Sequence, residues 1–484
     1  MTKSKISMPV LSQFNKSILN QDTEIYDFWN HKQLDFAVSD RTKIISLACK
    51  IPAIDPLACL QKFMIPDTLH FYWENPSKQE AVAAWGVAKR TRTQSGSRFA
   101  VAQKFIKNCF QQTIKKGDSN LAGNNPSIFC SFTFFSKQKQ KDSFTGGTLF
   151  LPRFQVAKKN KNCWLIINFP LAESQDEKNI SQRLEKSIQS IDWRELETLE
   201  IPSTYSRERD GLVVPNSAEK NSDYFKSVVT SALNSIAVDE FSKIVIAHTT
   251  DIQSSVPFQL IASLNNLRRI HPDCYIFSTS NGQGQNFIGA SPERLVSVQN
   301  KQLVTDALAG SAPRGKTTSE DAYLANLLLK SRKEKREHQA VSDFIMERLR
   351  NLGLKPHQLP LQLLKLSSIQ HLWTPIYAHL PGDIEPLEII EQLHPTPAVA
   401  GVPTAIACDK IRDYEQFDRS LYAAPLGWID SQGNSEFVVG IRSALIDGNC
   451  ARLYAGAGIV SGSNPNKEFA EVQLKLQSLI DALV

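Results

Sequence analysis

The chain lacks most features that mark metal-ribbon, disulfide-rich, nucleic-acid-binding or membrane proteins. Its eight cysteines are scattered through 484 residues without a single C-x-x-C pair. That spacing offers no zinc framework and reads as free thiols in a reducing compartment. Excess charge is also scarce, with 55 Lys and Arg against 49 Asp and Glu for a net charge of +6. No basic cluster is dense enough for a nucleic-acid interface, and the runs KQKQK (137–141) and KKNKN (158–162) read as solvated loops. No apolar run approaches membrane-spanning length. Before Arg41 there is no arginine and no hydrophobic segment of a signal or transit peptide. These absences predict a soluble cytoplasmic protein with neither nucleic acid nor membrane as a partner.

What is present suffices for a large core, since 42% of the residues are hydrophobic. Length alone allows two or three domains, but no repeat or low-complexity linker divides the chain. The N-terminal half, 1–215, reads as mixed strands and helices. It includes the strand–turn–strand HFYWENPSKQEAVAAWGVA and the buried strand NCWLIINF. The signals sharpen over 216–484. Phe225, Val228, Val229, Ala232 and Ile236 fall at helical spacing behind a candidate N-cap at Ser222 or Asp223. KIVIA at 243–247 reads as a strand. LGWIDS, SEFVVGIRSAL and ARLYAGAGIV read as a three-strand meander, and NPNKEFAEVQLKLQSLIDALV (464–484) as an amphipathic helix. Hairpins with interspersed helices predict an α+β fold with largely antiparallel sheets.

Several residues are placed for chemistry. In FIGASPERLVSV a proline interrupts the apolar run; proline cannot donate to a sheet ladder, so Pro292 bends the strand and re-aims Glu293. Glu337 precedes Val341, Phe344, Ile345 and Leu349 on the inward stripe of a helix, where a buried carboxylate needs a partner, although taken alone it reads as part of a solvated charged turn. Glu468, Glu471 and Lys475 border the stripe of the last helix, where the plain reading is an exposed i,i+4 ion pair. Two inward carboxylates suit a hard, oxygen-seeking cation such as Mg²⁺. Within SEFVVGIRSAL, Val438, Gly440, Arg442 and Ala444 alternate onto one face, leaving Arg442 room for a carboxylate or simply pairing it with a surface acid. Tyr454, Gly456 and Gly458 share a face of the next strand, where backbone can approach a ligand closely. TDALAGSAPRG reads first as a Gly/Ser loop. Lys243 reads as solvated unless burial turns it into a base, and His371 as structural.

The order of these blocks resembles one family. KIVIA, GASPERL, ALAGSAPRG, KREHQAV, LHPTPAVAGVP, FDRSLYAAPLGW, GIRSAL, LYAGAGIV and EFAEVQLKL are similar, in sequence order, to the chorismate-utilising enzymes. These comprise the isochorismate, salicylate, anthranilate and aminodeoxychorismate synthases. The resemblance is close from Ser222 onward and looser before it. It implies a single large domain with two big antiparallel sheets, helices outside and the site in the cleft between the sheets. It makes Lys243 the general base that activates water for attack at C2 of chorismate. Glu293 becomes the general acid at the departing C4 hydroxyl, and both pKa values are expected to lie nearer neutrality. Glu337 and Glu471 match Mg²⁺ ligands, and Arg442, Lys475 and Gly456 match contacts to substrate carboxylates. Gly310, Ser311, His371, Ala398 and Tyr422 fall on cleft positions.

Within the family, Ala309 stands where aminodeoxychorismate synthases carry lysine, and Lys243 where anthranilate synthases typically carry glutamine. No glutaminase nucleophile motif is present. Salicylate synthases share the lysine but typically have threonine in place of Ala398. The resemblance therefore implies isochorismate synthesis for a quinone pathway, menaquinone or phylloquinone. Salicylate synthesis and an ammonia-dependent aminase are the alternatives. A catalytically silent homologue would have lost one of Lys243, Glu293, Glu337 or Glu471, and all four are present.

Overall fold

A computed structural model describes residues 43–483 except 95, 118–124, 138–143, 172–181, 183–187, 189–192, 204–211, 214–217, 368 and 383. The N-terminal stretch read for targeting, most of KQKQK and the boundary at 215 lie outside the described residues. Among the described residues twenty-one strands form one hydrogen-bonded network, antiparallel except where Ile44–Ile51 runs parallel to Thr113–Gly117. It consists of two long runs. One passes from Ile44–Ile51 through Asn162–Pro170, Gly147–Lys159, Glu80–Thr93, His70–Asn75, Tyr275–Ser280, Gln285–Ser291, Ser443–Asp447 and Cys450–Val460 to Lys243–Ser254. The other leaves Gly147–Lys159 through Ser127–Phe132, Pro425–Asp430, Ser435–Val439, Arg294–Gln299 and Gln302–Pro313 to Ile369–His379. The two antiparallel sheets expected are therefore present, laced into one network by the long strand they share.

A second junction is chemically more telling. Gln285–Ser291 and Arg294–Gln299 are two strands with Pro292–Glu293 between them, and Ser435–Val439 and Ser443–Asp447 are two strands separated by 440–442. The first half of each segment pairs with the second half of the other, one pair in each run, so the two interruptions lie side by side. Ala290 N–H donates to the Arg442 carbonyl and Val439 N–H to the Glu293 carbonyl, both at 3.0 Å. SEFVVGIRSAL is thus two strands rather than one. Arg442 lies off both with φ +48°, a left-handed conformation rare for a bulky side chain, so the alternation from Val438 to Ala444 does not hold.

TDALAGSAPRG, read as a loop, belongs to the strand Gln302–Pro313. Gly310, at φ +80°, marks a register shift opposite His371, as glycine bulges do. The helix expected behind Ser222 or Asp223 already begins by Ala218, so neither residue caps it. KKNKN is the tip of a hairpin, with Asn160 and Lys161 exposed. Strand–turn–strand at 70–93 and the strand Asn162–Pro170 are as read.

Two amphipathic helices flank the site. Arg332–Asn351 is capped by the Ser331 hydroxyl, which accepts from Glu334 N–H, and buries Val341, Ile345 and Leu349. Pro465–Leu483 buries Val472, Leu476, Leu479 and Leu483. It packs with Ala218–Ala237 on the outer face of Lys243–Ser254, where the rings of Phe225 and Phe469 meet His248 edge-on. Because side chains alternate along a strand, Lys243 and Ala247 point the other way, inward.

Candidate active site

Lys243 is 3% exposed, not solvated, and its Nζ lies 2.7 Å from Glu337 Oε1. The strand delivers the lysine, and the helix Arg332–Asn351 delivers the carboxylate from its buried stripe. Space comes from the neighbouring strand. A Cβ on Gly458 would stand 3.2 Å from Glu337 Oε1 and 3.3 Å from Lys243 Cε. One on Gly456 would stand 2.7 Å from the Tyr422 hydroxyl. Both glycines thus let these side chains approach the strand closely, as their shared face suggested. Gly456→Ala is expected to displace Tyr422 and lower turnover by about tenfold or more, at an overpacking cost of roughly 1–3 kcal/mol. Steady-state kinetics with a thermal melt separates the two effects.

Glu293 is buried in the break between strands, with its N–H on the Ser291 hydroxyl. Burial pushes its pKa up to about 8, against the charge of Lys243 and with help from Asp306. At neutral pH it is therefore largely a neutral acid with a proton to give. The bend at Pro292 buries this carboxyl facing the field of a buried lysine. Tyr422, also buried, feels Glu293 and has its hydroxyl pKa raised, chiefly by burial. Arg442 donates from Nη2 to His371 Nε2 at 3.3 Å, and its Nη1 lies 3.9 Å from the Cys274 thiol. Burial, then the charges of Arg442 and Lys475, hold His371 down to about 3, so it is a neutral ring that orients the guanidinium.

On the last helix, Lys475 Nζ contacts Glu471 Oε1 at 2.7 Å and donates to the Gly456 carbonyl at 2.9 Å. The i,i+4 pair exists, but it is partly buried and tied to the sheet rather than exposed. Burial alone would raise the Glu471 pKa; Lys475, Lys333 and the Ser311 side chain outweigh it and lower it. Ser311 also offers its backbone to Glu334. Glu334 was not singled out from the sequence, and Glu468 only as a residue bordering the stripe of the last helix. Burial raises both, and the charges of Glu337 and Glu471 reach each of them. Their i,i+3 spacing to Glu337 and Glu471 was a signal that could have found them. Among the described residues no three His, Cys, Asp or Glu groups stand in metal-binding array, because Glu337 and Glu471 each turn onto a lysine. The donor set nonetheless fits a hard divalent cation: four carboxylates, two with pKa values raised by burial and mutual repulsion.

Sequence reading also missed the clamp behind these groups. Arg419 is wholly buried and bidentate to Glu415, and it donates at 2.8 Å to the carbonyls of Val399 and Val245. Glu415 in turn accepts from Ala247 N–H, and Ala400 accepts from Val245 N–H. The pair thereby ties the Lys243 strand to the turn that carries Ala398, and the Arg419 carbonyl accepts from Tyr422 N–H. Removing one partner of such a pair costs about 3–5 kcal/mol. Nothing in the block FDRS sets Arg419 apart from a surface arginine.

A family model described as "Chorismate binding enzyme" matches residues 31–484. The chain belongs to this family. Among its relatives, the isochorismate synthase MenF of Bacillus subtilis is 30% identical, with 91% of this chain and 93% of that protein aligned. The salicylate biosynthesis isochorismate synthase of Pseudomonas aeruginosa is 31% identical over 92% of this chain and 91% of its own. Among solved structures, the menaquinone-specific isochorismate synthase MenF of Escherichia coli superposes with a TM-score of 0.74 at 28% identity, covering 92% of this chain and 95% of its own. As a chorismate binding enzyme the protein takes a small-molecule substrate, and its α+β fold of antiparallel sheets is that of its relatives. No helix among the described residues is long and apolar enough to cross a membrane.

Proposed function

We propose that the protein is an isochorismate synthase, adding water at C2 of chorismate and expelling the C4 hydroxyl. One observation carries the reading. A carboxylic acid with its pKa raised to about 8, Glu293, faces a buried lysine, Lys243, in a chain aligned almost end to end with isochorismate synthases. Lys243 takes a proton from the attacking water. Glu293 gives its proton to the leaving hydroxyl, which departs as water, so one water enters and one leaves. Arg442, held by His371, and Lys475 bind the substrate carboxylates, with the Gly456 backbone beside them. Gly310, Ser311, Ala398 and Tyr422 shape the walls that fix the ring between acid and base, where positioning supplies much of the acceleration.

Glu337 and Glu471 would hold Mg²⁺, with Glu334 and Glu468 around them. The bound ion supplies positive charge to a substrate carboxylate. The proposal predicts that EDTA abolishes turnover and that added Mg²⁺ restores it; full activity in a chelated sample would remove the ion from the account. We further assign the product to quinone biosynthesis, menaquinone or phylloquinone, in the cytoplasm. Support comes from the menaquinone-specific structure matched over nine-tenths of the chain.

The reading is tested by proton NMR of chorismate incubated with the purified chain and Mg²⁺, with and without ammonium. Isochorismate alone is the expected product. Salicylate with pyruvate would replace the reading by salicylate synthesis, and an amino product appearing only with ammonium would reassign Lys243.

A further inference from the structure

Nothing among the described residues hydrogen-bonds the carboxyl of Glu293. Its backbone alone is held, the N–H donating to the Ser291 hydroxyl at 3.2 Å and the carbonyl accepting from Val439 N–H at 3.0 Å. The direction of the side chain therefore depends on the chain that follows it, where the sheet gives little support. Pairing of Arg294–Gln299 with Gln302–Pro313 begins only at Ser297 and Val304. Pairing with Ser435–Val439 shifts register between Arg294 and Val296.

Two side-chain bonds close this loosely paired stretch. The Thr305 hydroxyl donates to the Leu295 carbonyl at 2.7 Å, and Arg294 Nη2 donates to Asp306 Oδ1 at 2.8 Å. The same Asp306 oxygen accepts from the Trp373 indole at 2.9 Å, so a third strand, Ile369–His379, fixes the acceptor. Arg294 Nε is buried without an acceptor, which leaves the guanidinium held through Nη2. Both side chains are mostly buried, at 14% and 9% exposed. A buried pair of this kind is weak evidence for stability, because apolar side chains of similar size do as well. Its place beside the acid gives it another use.

We propose that Arg294 and Asp306 are positioning residues for Glu293: their bond, anchored on Trp373, fixes the residue next to the acid and so aims its carboxyl. This rests on the reading of Glu293 as the acid.

The test compares Asp306→Asn with the double variant Arg294→Met/Asp306→Leu, in steady-state kinetics on chorismate with Mg²⁺ and in thermal melts. Asparagine keeps an acceptor for the indole but loses the charge, and the charge of Glu436 still reaches Arg294. The double variant leaves no charge stranded and should melt close to the parent. Each should lower kcat by about tenfold to a hundredfold, the scale of a misplacement of roughly 1 Å, with KM near the parent value. Asp306 is also a like charge beside the acid, whose pKa is about 8 in the parent. Both variants should therefore lose kcat/KM at lower pH than the parent, while Lys243 and Tyr422, which also face the acid, are unchanged. Parent-like kcat in the double variant, an effect on KM alone, or an unmoved pH profile would each overturn the proposal.

The acid reading is tested separately. Asp306→Asn added to Glu293→Gln should lower turnover no further, and a further loss would show that the pair acts elsewhere. Parent-level turnover in Glu293→Gln would remove the acid itself. An inactive Glu293→Gln beside a fully active Asp306→Asn would sink the positioning role alone.

Discussion

Glu293→Gln will lower turnover by about 10² to 10⁴-fold, the usual contribution of a positioned acid, and will leave the fold intact. Glutamine keeps the shape and neutrality of the protonated acid but has no proton to give. Stability supplies an independent readout. With its pKa about 8 in the fold against an ordinary 4.5, the acid is protonated in both folded and unfolded chains below pH 4.5. Between 4.5 and 8 the unfolded chain ionises while the folded one, facing Lys243, Asp306 and Tyr422, does not, so folding loses stability as pH rises through that window. The glutamine variant escapes this loss. Its melting temperature relative to the parent should climb from pH 5 to pH 8, and a flat difference would deny the raised pKa.

The second large effect is at Lys243. Lys243→Ala should cost turnover on a similar scale and should also destabilise the protein, because Glu337 then stands mostly buried without its partner at 2.7 Å. Losing one side of a buried pair costs about 3–5 kcal/mol. Since the freed carboxylate is one of the two proposed to hold Mg²⁺, added Mg²⁺ should raise the melting temperature of the alanine variant more than that of the parent. Lys243→Arg separates the two roles: it keeps a cation for Glu337 but cannot serve as a base at neutral pH. It should therefore stay folded and remain inactive. Parent-level turnover in the arginine variant would end the base assignment.

Much of this site was legible because local patterns carry it. Glu337 lies on a helical stripe that the apolar residues define, and Gly456 and Gly458 lie on a strand face that alternation defines. Pro292 announces its bend, since nothing else explains a proline inside that run. The fold class followed from the same periodicities. What escaped depends on partners distant in sequence. Arg419 and Glu415 are four residues apart and resemble any surface pair until Val245 and Val399 close around them. Arg442 was placed on a strand face because SEFVVGIRSAL alternates without a gap, and its left-handed backbone arises only from the neighbouring break at Glu293. Gly310 was taken into a loop because a bulge and a turn share their composition. Glu334 passed unnoticed and Glu468 read only as bordering its helix stripe, and only the meeting of the charges of Glu337 and Glu471 around both of them distinguishes them.

The paired interruptions at 292–293 and 440–442 bear on how the gene can vary. Each gap sits between two strands that belong to different runs, and each is bonded to the other through Ala290, Arg442, Val439 and Glu293. One residue added to either gap would slip the downstream strand, turning every inward side chain outward along a whole ladder. Substitution is therefore open to these segments where change of length is not. Related chains should differ in letters here while keeping the count, and insertions should collect in surface connections such as the hairpin tip at Asn160 and Lys161.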